Sequence, residues 1–231
     1  MAIKLYDLAG ADPEIRFSPF CWRTKMALLH KGLPFEAVPW RFIEKSTISA
    51  SGQGRVPTLV DGETWVHDSW TIADYLDRAY PDRPKLFRDD RDKTSAFFQM
   101  KWAENTMHLP IFRLCILDIH AVLDADNKKY FRESREDRFG QTLEDLGAEP
   151  GKARALLLSA LQPMEQTLVS VPFLGGEAPG YGDYAVFGSL MWPYVVMRGP
   201  LFEHASAVAT WFERMLDLHS GYARSARTAR G

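Results

Sequence analysis

Apolar residues repeat with different periods along the chain, and each change of period predicts an element. Ile3-Lys4-Leu5-Tyr6-Asp7-Leu8 alternates with a period of two, which predicts a strand. After a polar loop to Arg16, Ser18-Pro19 precedes the helical spacing of WRTKMALLHKGL. Serine at an N-cap accepts an orphan amide hydrogen of the first turn, and proline at the next position has none to orphan, so a helix begins here. Gly32 is a natural residue to end it. Phe35–Pro39 predicts a second strand, and IEKSTISASGQG a loop with a short helix. Val56–Val60 and Thr64–Val66 predict two strands joined by a tight Asp61-Gly62 turn. Asp68-Ser69 caps a further helix, SWTIADYLDRAYP, with one apolar side.

The rest of the chain changes character. After the charged linker DRPKLFRDDRD, long helical patterns follow one another between Gly and Pro breaks. One starts near Lys93 and contains Pro110, which should kink or interrupt it. Others run from about Lys128 to Leu146 and from Lys152 to Val169, and the last is AVATWFERMLDLHSGY. The run YAVFGSLMWPYVVM, beginning near Gly180, is the most apolar and so the expected central helix. The order β-α-β-α-β-β-α followed by helices predicts a two-domain α/β plus all-α protein: a thioredoxin-like domain over residues 1–84 and an all-helical domain over 91–231.

Composition narrows the function classes. The 231 residues, 46% hydrophobic and 25% charged, are ordinary for a globular chain with one large or two modest cores. A net charge of −2 gives no broad attraction to nucleic acid or to an anionic membrane. No run approaches the ~18 apolar residues of a membrane span, and MAIKLYDLAGAD lacks the features of a signal peptide, so a cytoplasmic protein is expected. Two cysteines and six scattered histidines predict neither a disulfide framework nor a bound metal.

The chemistry centres on Ser18-Pro19-Phe20-Cys21, which has the form of a Cys-x-x-Cys redox motif with serine in place of the first cysteine. Read alone it is a helix cap, a redox site without its nucleophile, or a site that activates a thiol brought by another molecule. SPFCWRTKMAL, RVPTLVDG, HDSWTIADYLDRAYP and GDYAVFGSL, in this order and spacing, resemble the landmarks of the cytosolic glutathione S-transferases over nearly the whole chain. Within that superfamily, the Ser-Pro start, FRLCILDIH and YFRESREDRFGQTLEDL are most similar to the bacterial glutathione-dependent β-etherases, which open the β-aryl ethers of lignin-type aromatics. Fungal serine-type transferases are similar at the Ser-Pro landmark.

The resemblance implies glutathione as cosubstrate, an aromatic electrophile and a homodimer. It implies that Ser18 donates a hydrogen bond to the glutathione thiolate and that Phe20 stands beside it. Val56-Pro57 resembles the family's cis-proline turn, whose backbone pairs with the tripeptide. Asp68-Ser69 resembles the pair that receives its γ-glutamyl end. The glycine carboxylate falls to Gln53 and Arg55, with Lys45 also in reach. Trp22, Trp102, Met107, Ile111 and Trp192 are the candidates for the electrophile wall. Asp183 resembles the family's capping aspartate, although Gly180 stands where Ser or Thr is usual, and it is read as a folding residue.

Two other readings stay open: a thiol oxidoreductase working through Cys21, and a glutathione-binding protein without turnover. Cys21 itself reads as a small buried hydrophobe. RESREDR (132–138) reads as a solvated helix face. His108 and His120 read as structural, and the C-terminal arginines of GYARSARTARG as a tail with no order of its own.

Overall fold

The structure is a computed structural model in which residues 3–202 and 204–230 are described. Its N-terminal part is a four-stranded mixed sheet with the strand order β2-β1-β3-β4, formed by β1 (Ile3–Leu8), β2 (Phe35–Trp40), β3 (Thr58–Asp61) and β4 (Thr64–His67). β1 and β2 are parallel, so the chain must cross over between them, and α1 (Pro19–His30) is that crossover. β3 runs antiparallel to β1 and closes a hairpin with β4 at Asp61-Gly62, where Gly62 takes φ 61°. The second expected helix is a 3-10 segment, Lys45–Ser51, that ends at Gly52 with φ 75°. α2 (Ser69–Ala79) completes a thioredoxin-like domain.

The C-terminal part is helical throughout, as expected. The long pattern around Pro110 is two helices, α3 (Asp90–Thr106) and α4 (His108–Ala121), and Pro110 lies in the first turn of the second, where its missing N–H removes no helical bond. The helix expected over 128–146 is also divided. α5 (Ala125–Phe139) stops at Gly140, which has φ 65°, and a single turn, α6 (Leu143–Leu146), follows. α7 (Pro150–Thr167), α8 (Tyr181–Val196) and α9 (Ala207–Gly221) complete the set. No helix among the described residues is long and apolar enough to cross a membrane.

α8 is the central helix, buried along almost its full length and packed on α1, α3 and α4. A side chain at Gly188 would meet the Pro19 carbonyl oxygen at 2.4 Å, so a bare backbone at this position lets α8 press against the start of α1. Arg23 fixes the same contact. Its fully buried guanidinium bonds Glu104 at 2.6 Å, Ser189 at 3.3 Å and the Ala185 carbonyl at 3.2 Å.

The C-terminal tail departs from its expectation. Arg230 donates to the carbonyls of Met197 and Tyr194, and the Ala229 N–H to that of Val195, so the tail satisfies the orphan carbonyls at the end of α8. Arg224 pairs with Asp217 and with Glu213.

Candidate functional site

Sheet register assembles the site. β1 places Tyr6 opposite Thr58, and β3 places Thr58 opposite His67, so Pro57 and Asp68 come to the same edge that the chain leaves after Leu8 to reach Ser18. Three segments far apart in sequence therefore meet at one end of the sheet, facing the helical domain. Between the first two of them along the chain and α3, α4, α5 and α8 lies a cleft of about 800 Å³, and Asp68 and Ser69 stand outside its lining.

Ser18 is the N-cap of α1 and lines this cleft. Its Oγ accepts the Cys21 N–H at 3.2 Å, and its own hydrogen is committed to no oxygen or nitrogen among the described residues. The Phe20 N–H, in the first helical turn, has no intrahelical acceptor. A hydroxyl whose hydrogen meets, among the described residues, only the weakly accepting Cys21 sulfur, and a helix N-terminus, thus lie beside one small volume, which favours an anion there. Cys21, whose sulfur touches the Ser18 side chain and lies 4.0 Å from the Tyr6 carbonyl, is outside the cleft lining. It is fully buried, and burial together with the nearby Asp7 carboxylate pushes its thiol far up, which disfavours a thiolate at that sulfur.

Of the residues singled out in the sequence, Ser18, Phe20, Arg55, Val56 and Trp192 share the lining of the cleft, with Lys45. The Val56–Pro57 bond is cis. Gln53 lies outside the lining and donates to the Arg55 carbonyl at 2.7 Å. Pro57 is buried beneath the turn. Asp68 has φ 69°, a left-handed backbone unusual for a residue with a side chain, and its Oδ1 takes the N–H groups of Trp70 and Thr71. Ser69 is held by its carbonyl, which accepts the Tyr181 hydroxyl at 2.8 Å, while its own hydroxyl takes no partner among the described residues.

Four of the five residues expected on the electrophile wall stand elsewhere. Trp22 is buried under α1, donating to the Arg16 carbonyl at 2.8 Å with the Lys25 ammonium 3.4 Å above its ring. Met107 and Ile111 are fully buried in the core, and Trp102 is half-buried outside the cleft. The cleft is lined instead by Glu104, His108 and Phe112, at i, i+4 and i+8 on the adjoining stripe of the α3–α4 pair. One residue is a 100° turn on a helix, so apolar spacing locates a face only to within a neighbouring stripe.

Sequence reasoning missed the contribution of α5. Phe131, Ser134, Arg135 and Arg138 recur at i, i+3, i+4 and i+7 and line the cleft with Tyr130. That spacing was present in the sequence. The charge run concealed it, because among the described residues only Arg132 of this run makes the solvated pairs, with Glu136 and Glu144. His108, read from the sequence as structural, also lines the cleft. Its Nε2 lies 2.9 Å from Ser189 Oγ, and its ring meets those of Phe20 and Trp192 edge to face. Burial, and then the charge of Arg23, hold its pKa down at about 3, so it is a neutral imidazole at neutral pH. Burial works against the charge of Glu104, yet hydrogen bonds from Lys101 and Arg23 outweigh it and hold that carboxyl below its usual range.

These histidines predict a pH response. Burial also lowers His219, to about 4, with the charge of His30 adding to it. A histidine whose folded pKa lies below about 6.5 leaves the unfolded chain binding more protons as pH drops, so its contribution is complete above that value and lost below it. Stability should hold near pH 7 and fall toward about pH 5, by roughly 1–2 kcal/mol for each of the two after allowing for partial exposure. Denaturant titrations at the two pH values measure this. A His108→Gln variant should lose part of the difference, the rest staying with His219 and with His30 and His120, which burial also lowers.

The fold and the site define a class: a thioredoxin-like domain that presents a helix-capping hydroxyl to an inter-domain cleft built against a helical bundle. The chain belongs to the glutathione S-transferase family. The family's C-terminal domain model matches residues 94–216 and its N-terminal domain model residues 13–84. Glutathione S-transferase U28 of Arabidopsis thaliana is 24% identical over 210 residues, 88% of this chain and 82% of that one. Glutathione S-transferase Z1 of the same plant is 38% identical over 72 residues, 29% of this chain and 33% of that protein, so this match spans well under two thirds of the relative. In three dimensions the chain is similar to a glutathione S-transferase of Ceriporiopsis subvermispora solved in complex with glutathione. The TM-score is 0.80 at 24% identity, covering 96% of this chain and 98% of the other.

Proposed function

We propose that the protein is a glutathione S-transferase in which Ser18 holds the cosubstrate as its thiolate and delivers it to an aromatic electrophile in the cleft. The observation that carries this reading is the Ser18 hydroxyl, which caps α1 and lines the cleft, with the weakly accepting Cys21 sulfur as the competitor for its hydrogen. Residues 1–84 serve as the glutathione-binding domain and residues 91–231 carry the electrophile wall. The tripeptide lies along Val56-Pro57, with its γ-glutamyl end toward Asp68-Ser69 and its glycine carboxylate toward Arg55, Gln53 and Lys45. The sulfur lone pair forms a C–S bond as the bond to the leaving group breaks, and the leaving group departs with the electron pair of the broken bond. For a β-aryl ether, as in the β-etherases and on the pattern of fungal serine-type enzymes, the leaving group is an aryl oxide. That chemistry suits catabolism or detoxification of aromatic compounds by a cytoplasmic homodimer.

Burial and the suppressed acidity of Cys21 disfavour the thiol oxidoreductase reading. Glutathione incubated with the enzyme and a panel of chloronitrobenzenes and β-aryl ethers tests the proposal. A thioether product and released leaving group, formed faster than without enzyme, are expected. Glutathione binding with no turnover across the panel would make this a binding protein instead.

A further inference from the structure

The cleft is more basic than a hydrophobic electrophile requires. Lys45, Arg55, Arg135 and Arg138 all line it, and none has a carboxylate partner among the described residues. Among the described residues Glu104 is the only acid in the lining, and it is already paired with Arg23 and Lys101. The guanidinium of Arg135 lies 4.6 Å over the Phe131 ring and 5.1 Å over that of Phe42, and its one hydrogen bond goes to the Ser134 hydroxyl. The Lys45 ammonium stands 4.9 Å over Tyr130, whose ring lies 6.0 Å from Phe42, so the cations share one aromatic neighbourhood. Burial opposes the charge of Arg135, and the nearby positive charges of Arg138 and Arg55 oppose it further. A half-buried guanidinium fixed by aromatic faces and lacking an anion has donors to spare, in the planar geometry that receives a carboxylate.

Glutathione does not account for all four charges. On the reading proposed above, its glycine carboxylate sits near Arg55 and Lys45, which leaves the two arginines of α5 unneutralised. The cleft, toward the upper end of the about 300–1,000 Å³ usual for small-molecule sites, has room for a second molecule beside a tripeptide. We propose that the second substrate is an aromatic carboxylate, held by Arg135 with support from Arg138 while its ring packs against the aromatic lining. This assignment rests on the glutathione reading for its second-substrate role, and the charged, ring-lined pocket on α5 stands on the geometry alone.

Calorimetry on the full chain tests it with two pairs of probes. The first pair is S-(dinitrophenyl)glutathione and the same conjugate with a carboxylate on its ring. The second is dinitrobenzene and dinitrobenzoate, which contain no glutathione. In each pair the carboxylate should bind about tenfold or more tightly, the effect of one charge-assisted hydrogen bond, and the preference should shrink as salt is added. Arg135→Gln should remove most of that preference and Arg135→Lys, which keeps the charge but not the fork, should retain part of it. Equal affinity within both pairs overturns the proposal. So does an Arg135→Gln variant that weakens both conjugates and glutathione alike, since Arg135 would then serve the tripeptide. If the protein binds no glutathione yet keeps an Arg135-dependent preference for dinitrobenzoate, the glutathione reading falls and the carboxylate site stands.

Discussion

Ser18→Ala should raise the thiol pKa of bound glutathione by about 1–2 units and lower kcat/KM by roughly ten- to a hundredfold at neutral pH. The thiol of a free cysteine has a pKa near 8.5, so at neutral pH the reactive anion is a minority form. One charge-assisted hydrogen bond favours that anion by roughly 1.5–3 kcal/mol, and the N-terminus of α1 adds about 0.3–1 kcal/mol more. Alanine removes the first contribution and leaves the second. It also removes the acceptor of the Cys21 N–H, a capping loss of about 1 kcal/mol in stability. The two effects separate experimentally. Thiolate absorbance against pH, with the variant saturated in glutathione, reports the hydrogen bond to sulfur, whereas denaturant titration reports the cap. An unchanged pKa and unchanged turnover in a folded variant would remove Ser18 from the chemistry.

Asp183→Asn should be the most damaging conservative substitution for stability, at about 3–5 kcal/mol. The carboxylate is fully buried and receives four donors: Leu174 N–H at 2.7 Å and Trp211 Nε1–H at 2.9 Å on Oδ1, and the N–H groups of Gly175 at 2.9 Å and Gly180 at 3.0 Å on Oδ2. Burial raises its pKa, and these hydrogen bonds pull the other way. An amide has one oxygen in place of two, so whichever side its NH₂ occupies sets donor against two donors. Two buried N–H groups then lose their acceptor, at about 1–3 kcal/mol each. Denaturant unfolding measures the loss, and thermal melting should show a fall of about 10 °C for a chain of this size. Catalysis by the remaining folded fraction should persist, because Asp183 lies in the α8 start and outside the cleft lining.

The contrast between these two residues shows what local sequence conveys. Ser18-Pro19 and Asp68-Ser69 were legible because capping is decided within one turn by the residue types present. Asp61-Gly62 was legible because a two-residue hairpin turn needs a positive φ. The 3-10 segment Lys45–Ser51 was only partly legible, since no periodic apolar face organises it. Cys21 was read as a buried hydrophobe from its ordinary habit, and the fold places it between α1 and the sheet.

Residue choices within a few positions thus set the strands, the helix starts, the central apolar helix and the serine that caps α1, because propensity, capping and periodicity act over short distances. Tertiary structure decided which stripe of each helix faces the cleft. Met107 and Glu104, or Arg132 and Arg135, differ by a fraction of a turn, and only the packing of α3, α4 and α5 against the sheet selects between them. It also decided that Arg23 and Lys25 go inside, where Glu104 and Asp7 meet them, and that Arg135 has no acid partner among the described residues. A charged side chain's environment is set by neighbours distant in sequence, so the basic character of the cleft arises only once the chain has folded.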